Sequence, residues 1–361
     1  MHLGRSAVAL AAGLIASATA QTYSDCNPMK KSSCSADEAL SSSTYSVDFT
    51  KGADDDNWES IGSGDVEYTS KGAEFTINKK GDAPTIQTNW YIFFGRLEVH
   101  LKAASGTGIV SSAVLLSDVL DEVDWEWLGG SSEEVQTNYY GKGNSTSDIR
   151  SETFAAAGSQ TASHNYTIYW TKETCVWYID GTAVRTLNYA DALGGENYPQ
   201  TPMRIKLGIW AGGDSDNAEG TITWAGGETD YSDAPFTMIV ESVKIENFNP
   251  AGSYTYGDQT GDYGSIELDE TDKSETKTKS STKATTSTEA STGTSTETLT
   301  GTTSSTETAG FQNKQQVDST ASSDVSSATT PTASVTAVQG FAAINRPDVW
   351  ILLGALAAVC I

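Results

Sequence analysis

Short segments in which apolar and polar residues alternate, separated by turns rich in glycine and aspartate, constrain the fold of this chain most strongly. Residues 96–101 alternate strictly, as a strand with one buried face does. No stretch sustains the 3.6-residue apolar period of an amphipathic helix. Many short strands joined by such turns predict an all-β fold, a two-sheet sandwich of the jelly-roll type.

Individual strands can be placed along the sequence. The predicted strands are residues 67–69, 74–77, 91–101, 109–116, 123–128, 134–140, 166–170, 175–179, 204–210 and 238–245. Asp180 and Gly181 follow one of these strands and predict a two-residue hairpin turn, because this pair accepts the left-handed backbone that the turn needs.

The start of the 361-residue chain predicts secretion. A charged beginning, an apolar run over residues 7–15 and the small-residue site Ala18-Thr19-Ala20 indicate a signal peptide over residues 1–20 rather than a buried helix. The folded domain is predicted over residues 21–263, a length that a single β-sandwich can fill.

Two further regions are predicted after the domain. About half of residues 271–340 are Ser or Thr, so residues 264–340 are predicted to be a disordered, O-glycosylated stalk. The apolar tail over residues 349–361 is short for a membrane span, which takes about 20 residues. With the polar spacer before it, this tail predicts a GPI-anchor propeptide over residues 341–361, with Gly340 as the anchored residue, rather than a tail-anchored helix.

Charge and histidine content exclude several functions. The formal net charge of −25 argues against binding to nucleic acid or anionic lipid and fits an uncharged substrate. The only histidines are His2, His100 and His164, and the sequence has no HExxH, paired CxxC or Walker motif. No metal ion or cofactor is therefore predicted, and a serine triad is not favoured.

Cysteine and asparagine positions fit a secreted protein. Cys26 and Cys34 lie close together near the mature N-terminus and are predicted to form a disulfide. Cys360 lies in the tail predicted to be removed, which leaves Cys175 as a buried free thiol on a strand. Asn144-Ser-Thr and Asn165-Tyr-Thr are predicted N-glycosylation sites.

The run over residues 121–127, Asp-Glu-Val-Asp-Trp-Glu-Trp, carries the chemistry. On a strand, Glu122, Asp124 and Glu126 share one face, and Val123 and the two indoles share the other. Paired carboxylic acids cleave glycosidic bonds, one as nucleophile or general base and one as general acid. Spacing alone allows retention or inversion of configuration, and negative neighbours raise the pKa of at least one glutamate. The competing interpretation is a solvent-facing strand with acids on its wet side.

This run resembles the catalytic strand of glycoside hydrolase family 16. An ordered set of further motifs is similar to the Crh transglycosylases of fungal cell walls, over residues 21–248 in all: the Cys26–Cys34 segment and residues 91–96, 102–112, 117–118, 121–130, 138–143, 177–181, 202–210 and 220–227. The signal peptide, stalk and GPI signal also match the layout of that family.

The resemblance implies a concanavalin-like β-sandwich and a retaining mechanism. It implies Glu122 as nucleophile, Glu126 as general acid/base and substrate contact, and Asp124 as the assisting acid. Chitin is the implied donor, and β-glucan or chitin is the implied acceptor, at the cell membrane and in the cell wall. In the later strands, the positions that match contacts to the donor are Lys206, Trp210 and Thr221, with Arg204 as a neighbour.

Alternatives remain open from the residues alone. Lys206 could be an ordinary solvent-facing lysine, Trp177 and Trp224 could each lie in cleft or core, and either Tyr139 or Tyr140 could face the cleft. Trp125 and Trp127 are expected in the core. The main rivals to a transglycosylase are a hydrolytic endo-β-glucanase or chitinase, and a carbohydrate-binding wall protein without turnover. The acid triplet disfavours the latter, because a binder has no need of three repelling carboxylates.

Overall fold

A computed structural model of the protein describes residues 24–144 and 150–269. The predicted signal peptide and GPI propeptide, with Gly340 and Cys360, lie outside the described residues, as does the predicted stalk from residue 270 onward. Strands are the dominant regular structure of the described chain, which confirms the all-β prediction.

The described residues include eighteen strands and one short α-helix. The strands are β1 (Asp37–Glu38), β2 (Thr44–Asp48), β3 (Trp58–Ser60), β4 (Val66–Thr69), β5 (Gly72–Ile77), β6 (Thr85–Thr88), β7 (Gly95–Lys102), β8 (Ile109–Ser117), β9 (Glu122–Leu128), β10 (Glu134–Tyr140), β11 (Glu152–Ala155), β12 (His164–Trp170), β13 (Thr174–Ile179), β14 (Thr182–Asn188), β15 (Met203–Ala211), β16 (Phe236–Asn247), β17 (Ser253–Tyr256) and β18 (Ile266–Asp269). The α-helix is α1 (Glu219–Trp224).

Two large antiparallel sheets form the sandwich. One has the order β11-β10-β9-β8-β15-β6-β3, and the other has the order β14-β13-β12-β7-β16-β5-β4, with β2 also paired to β16. A small third sheet has the order β1-β17-β18. The strand β9 that carries the acid run therefore has a strand on both sides and lies inside its sheet.

The core fills the space between the two large sheets. Trp125 and Trp127 on β9 are fully buried and meet Tyr166 on β12 of the opposite sheet, with ring centroids 5.4 and 4.5 Å apart. These edge-to-face contacts hold β9 against the opposite sheet. The prediction that both indoles lie in the core is confirmed.

The predicted hairpin turn is present between β13 and β14. Asp180 has φ of 48° and Gly181 has φ of 79°, so both residues take the left-handed conformation that a two-residue turn of this type requires. Asp180 also accepts a hydrogen bond from the backbone N–H of Asn165, which fixes the turn against β12.

Two predicted boundaries and one predicted placement are wrong. The strand predicted over residues 91–101 begins at Gly95, because the left-handed Phe94, with φ of 55°, turns the chain. The apolar residues before it are buried as core rather than as a continuous strand. The predicted domain end at residue 263 is too early, since β18 pairs with β17 and keeps residues 266–269 in the fold. Thr221, which the resemblance places in a later strand, lies on α1 instead.

The cysteines behave as predicted. Cys26 and Cys34 form a disulfide, with Cα atoms 5.7 Å apart, and Cys175 is a buried free thiol on β13. Over residues 24–144 and 150–269, no helix has the length and apolar character needed to cross a membrane.

Candidate active site

The acid run occupies the face of β9 that points away from the core. Glu122, Asp124 and Glu126 alternate with Val123 and the two tryptophans, which are completely buried between the sheets. Glu122 and Asp124 are buried and Glu126 is half-buried. The acids are therefore inside a cleft on the outer side of the seven-stranded sheet, and the solvent-facing alternative is wrong.

Strand register defines what surrounds each acid, because directly paired residues on neighbouring strands project from the same face. On β10, Tyr140 pairs with Glu122, Asn138 with Asp124 and Gln136 with Glu126. Leu116, Val114 and Ser112 on β8 pair with the same three acids in the same order. Polar or aromatic side chains thus flank the acids on one side, and small or apolar side chains flank them on the other.

Asp124 lies at the centre of the triplet, where its surroundings favour the protonated form. Burial raises its pKa well above the ordinary value, and the charges of Glu126 and Glu122 raise it further. Its side chain is hydrogen-bonded to Glu122, a contact that also favours the protonated form of Asp124. In its protonated form Asp124 can donate its O–H to Glu122, which suits an assisting acid that orients a nucleophile.

Glu126 has the protonation state of a general acid. Burial, and then the nearby charge of Glu122, raise its pKa to about 8. Its carboxyl group therefore carries a proton at neutral pH, while the proton remains labile enough to be given and taken back. One face of one strand thus supplies a hydrogen-bonded carboxylate and a proton donor, the pair that glycosidic cleavage requires.

A buried indole fixes the backbone of the acid strand from the core side. Trp177 on β13 donates from Nε1 to the carbonyl oxygen of Asp124, at 3.1 Å. Arg185 on β14 stacks over the Trp177 ring at 4.8 Å and donates to the carbonyl oxygen of Thr137 on β10 at 3.0 Å. These contacts cross the core and hold β9 and β10 in place, so Trp177 belongs to the core.

Lys206 and Arg204 lie on β15, two strands away from the acids but on the same face. Register places Lys206 level with Val114 and hence with Asp124, and Arg204 level with Leu116 and hence with Glu122. Only 4% of the Lys206 surface is exposed, so it is not an ordinary solvent-facing lysine. Burial lowers its pKa to about 8, although the charge of Glu122 acts in the opposite direction.

Arg204 is held in one orientation. Its guanidinium lies over the Tyr91 ring at 4.7 Å and donates to Glu59 at 3.0 Å. The Tyr91 hydroxyl in turn donates to Asp118 at 2.9 Å. This chain of contacts provides a rigid polar wall beside the acid strand, on the side where β15 and β6 continue the sheet.

Trp210 and Trp224 form an aromatic pair at the other end of the cleft. Trp210 lies level with Leu128, one alternate position beyond Glu126, and its ring stacks on that of Trp224 with centroids 6.0 Å apart. Trp224 donates from Nε1 to Gln136 at 2.9 Å. Because Gln136 pairs with Glu126, Trp224 is a cleft residue, and aromatic faces of this kind suit sugar rings.

Thr221 is on α1 rather than on a strand. Its backbone N–H donates to the carbonyl oxygen of Ala218 at 2.9 Å, and its own carbonyl oxygen accepts from Ala225 at 2.9 Å. The β-branched residues in this segment favour a strand, but the contacts of Trp224 with Trp210 and Gln136 favour the helix. Thr221 is half-buried and close in sequence to the cleft residue Trp224.

Several cleft residues were not identified from the sequence. Tyr140 pairs with Glu122 and faces the cleft, while Tyr139 is buried in the core. Asn138 donates to the Tyr140 hydroxyl at 3.1 Å. Alternation along β10 puts Tyr139 and Tyr140 on opposite faces but does not show which face is the cleft. The pairing of β10 with β9 shows it.

The two predicted glycosylation asparagines both lie within the described residues. Asn144 donates to Asn197 at 2.8 Å, and Asn165 on β12 donates to Glu98 at 3.2 Å. Both are half-buried. Glycosylation at these two positions stays a prediction.

Comparison with known proteins connects the site to a family. Residues 54–226 match the family model of the glycosyl hydrolases family 16. Crh-like protein 5 of Aspergillus fumigatus is 52% identical over 269 residues, which are 74% of this chain and 67% of that protein. A Crh-like protein of Arthroderma benhamiae is 48% identical over 263 residues, which are 73% of this chain and 72% of that protein.

A solved structure has the same fold. A Crh5 transglycosylase in complex with NAG is 56% identical to this chain, with a TM-score of 0.66. The match covers 68% of this chain and 100% of that one. The matched share is close to the share of this chain that forms the sandwich and its cleft.

Proposed function

This chain belongs to the Crh-like proteins of glycosyl hydrolase family 16, and we propose that it is a retaining transglycosylase that cross-links chitin to β-glucan or to chitin in the cell wall. The observation that carries this proposal is the arrangement of the three acids on one cleft face, with Asp124 hydrogen-bonded to Glu122 and the pKa values of Asp124 and Glu126 both raised. A retaining glycosidase needs this division of roles, with one carboxylate to attack and one acid to donate.

In the first half-reaction, Glu122 is the nucleophile. A carboxylate oxygen of Glu122 forms a bond to the anomeric carbon of the donor sugar, and the bond from that carbon to the glycosidic oxygen breaks. Glu126 gives its proton to the departing oxygen. Asp124 keeps its own proton and steadies Glu122 through their hydrogen bond.

In the second half-reaction, a sugar hydroxyl of the acceptor replaces water. The hydroxyl oxygen attacks the anomeric carbon, its proton passes to Glu126, and the bond to Glu122 breaks. Two inversions at the same carbon give net retention. Transfer exceeds hydrolysis only if the acceptor is held in place, since water is present at high concentration and a bound hydroxyl must outcompete it.

Chitin is proposed as the donor. A polymer of N-acetylglucosamine is uncharged, which fits a protein with net charge −25, and the related Crh5 transglycosylase was solved with NAG. Lys206, Trp210, Thr221 and Arg204 are proposed to contact the donor. Of these, Lys206, Trp210 and Arg204 lie on the acid face of the sheet, and Thr221 lies on the helix that also carries Trp224.

Labelled oligomers test the transfer reaction directly. The secreted protein is incubated with fluorescent chitin oligomers and laminarin, a β-1,3-glucan, and we expect label to become attached to the glucan. Appearance of shorter chitin fragments alone, at high acceptor concentration, would show that the enzyme is a hydrolase. Competing chitin and glucan acceptors in one reaction then rank the two acceptors.

Replacement of the nucleophile tests the mechanism. Glu122→Gln keeps the shape of the side chain but removes its charge, so both cleavage and transfer should fall by about 10⁴-fold or more. Glu67, an exposed acid on β4 of the other large sheet, provides a control, because Glu67→Gln should leave both activities unchanged. Activity that survives Glu122→Gln would assign the nucleophile to another residue.

We infer that the protein acts outside the cell, attached by a GPI anchor. The signal-like residues 1–20, the Ser/Thr-rich residues after 270 and the apolar end support this inference. Phosphatidylinositol-specific phospholipase C should release the protein from membranes into the aqueous phase. Retention in the membrane fraction after this treatment would contradict a GPI anchor.

A further inference from the structure

A completely buried carboxylate, that of Asp121, lies directly before the proposed nucleophile Glu122. Its two oxygen atoms accept four hydrogen bonds. Oδ1 accepts from the backbone N–H of Lys142 at 2.8 Å. Oδ2 accepts from the backbone N–H groups of Gln200 and Thr201, at 2.8 and 2.9 Å, and from the Thr201 hydroxyl at 2.7 Å. Asp121 has no exposed surface, so it does not touch substrate.

All partners of the Asp121 side chain are donors, and a carboxylate is a group that only accepts. Burial raises the pKa of Asp121, and these hydrogen bonds oppose that rise. Hydrogen bonds to a charged acceptor are shorter and stronger than neutral ones. The carboxylate therefore joins the loop after β10, which contains Lys142, to the loop before β15, which contains Gln200 and Thr201.

The turn between β8 and β9 depends on such support. Leu120 has φ of 68°, a left-handed conformation that is strained for a bulky residue. Its carbonyl oxygen accepts from the backbone N–H of Gly143 at 2.8 Å, and the backbone N–H of Asp121 donates to the Ser117 hydroxyl at 2.8 Å. Strained backbone persists only where its surroundings hold it. Because Glu122 follows two residues after Leu120, release of this turn would move the nucleophile.

The C-terminal part of the fold reaches the same carboxylate through the same two loops. The Lys142 ammonium donates to Asp262 at 2.7 Å, and the backbone N–H of Tyr263 donates to the side-chain oxygen of Gln200 at 3.1 Å. Asp262 and Tyr263 lie beyond residues 54–226, which match the family model. The support of the acid strand therefore includes chain that the family match does not cover.

We propose that Asp121 is a positioning residue, which fixes the backbone of Glu122 by joining the turn before it to the two loops at the same end of the cleft. The inference rests on the proposed function, since it takes Glu122 as the nucleophile. Asp124 is hydrogen-bonded to the side chain of Glu122, whereas Asp121 holds the main chain from which that side chain projects. A misplacement of about 1 Å can lower a rate about 10²-fold.

Asp121→Asn in the full secreted chain tests the proposal. The amide keeps the size of the side chain, but its NH2 group must face at least one backbone N–H in either orientation. We expect kcat for cleavage of N-acetylchitotetraose to fall about 10–10²-fold. KM should change by less than about twofold, because Asp121 does not touch substrate. Wild-type kcat in a folded Asp121→Asn variant would overturn the proposal.

An activated donor shows which acid is displaced. The leaving group of a dinitrophenyl glycoside of N-acetylchitotriose departs without a proton, so its cleavage needs Glu122 but not the proton of Glu126. The loss in kcat/KM caused by Asp121→Asn should persist on this donor, and the loss caused by Glu126→Gln should largely disappear. If the loss caused by Asp121→Asn disappears as well, Asp121 does not position the nucleophile.

Asn247→Asp is the matched control for loss of stability. Asn247 is 2% exposed and lies on β16 of the other large sheet, where its side-chain NH2 donates to Leu40 and Tyr254, both at 2.9 Å. The exchange removes two buried donors without touching β9. It should lower the midpoint of denaturant unfolding, as Asp121→Asn should, and leave kcat unchanged. Equal falls of kcat in the two variants would overturn a positioning role.

Thr201 provides the test if Asp121→Asn does not fold. Thr201→Val keeps the shape of the side chain but removes the hydroxyl that donates to Asp121, so kcat should fall a few-fold. Thr201→Ser keeps a hydroxyl and should retain the wild-type kcat. Wild-type kcat in Thr201→Val would then overturn the proposal. Glu122→Gln is assayed in the same series, so a wrong nucleophile is distinguished from a wrong role for Asp121.

Discussion

The two faces of β9 carry opposite kinds of side chain. One face presents Glu122, Asp124 and Glu126 to the cleft, and the other presents Trp125 and Trp127 to the core. The acids are held close together in a poorly solvated place, where their mutual repulsion and desolvation raise the pKa values of Asp124 and Glu126. The indoles stabilise the same strand by burial.

The comparison shows how a destabilised site is retained. Each indole buries about 150–250 Å². At about 25 cal/mol per Å² this corresponds to about 4–6 kcal/mol for each ring, taken as an upper bound. The strand can therefore carry three crowded acids because its other face is anchored in the core. Substitutions on the cleft face should change chemistry, and substitutions on the core face should change stability.

The largest expected effect is on the cleft face. Glu126→Gln removes the proton donor, so the rate of chitin cleavage should fall by about 10²–10⁴-fold. In the wild type, kcat/KM should fall as pH rises through about 8, because the acid form of Glu126 is lost. Initial rates across pH 5–10 check both. If the residual activity of Glu126→Gln still falls above pH 8, the group that loses its proton there is not Glu126.

The core face should respond in the opposite way. Trp125→Ala leaves a cavity against Tyr166 and should lower the free energy of unfolding by about 3–5 kcal/mol. Trp125→Phe should cost less, because it keeps a ring in the core. Denaturant unfolding measures both variants. If Glu126→Gln lowers the free energy of unfolding at pH 5 as much as Trp125→Ala does, the cleft face also determines stability and the two faces do not have separate roles.

The pH dependence of stability sharpens the comparison. A raised pKa means that the folded protein binds more protons than the unfolded chain between about pH 4.5 and 8, so stability falls as pH rises through that range. Glu126→Gln does not titrate and should escape its part of this fall. Relative to the wild type, it should gain stability steadily between pH 5 and 8, by about 1 kcal/mol per pH unit at most. A constant difference across that range would mean that the pKa of Glu126 is not raised by folding.

The sequence alone predicts which residues lie on each face of β9, but it does not predict which residues surround those faces. The period of two along residues 122–127 placed acids and indoles on opposite sides, because alternation is a property of a single strand. The burial of Lys206 depends on β15 pairing with β8, about 90 residues earlier in the chain. No local pattern reveals such a pairing, and the same limit left Tyr139 and Tyr140 unassigned.

Local propensity also failed where tertiary contacts decide the structure. Residues 221–224, Thr-Ile-Thr-Trp, have strand-forming side chains, yet they fold as a helix that brings Trp224 to Gln136. Residues 91–94 have strand-like composition, yet Phe94 turns the chain. The strand β18 lies where the composition already becomes polar, and its pairing with β17 includes it in the fold.

The smallest effect is expected from the hydrogen bond that Trp177 donates across the core to the backbone of β9. Trp177→Phe removes the donor to the Asp124 carbonyl oxygen and should cost about 1 kcal/mol of stability. Because Asp124 is hydrogen-bonded to Glu122, we expect kcat to fall a few-fold as well. Trp170→Phe is the matched control, since Trp170 is equally buried and donates at 2.8 Å to the carbonyl oxygen of Pro199, away from β9. Trp170→Phe should lose similar stability and keep its kcat. Equal kcat values in the two variants would show that the Trp177 hydrogen bond stabilises β9 without positioning its acids.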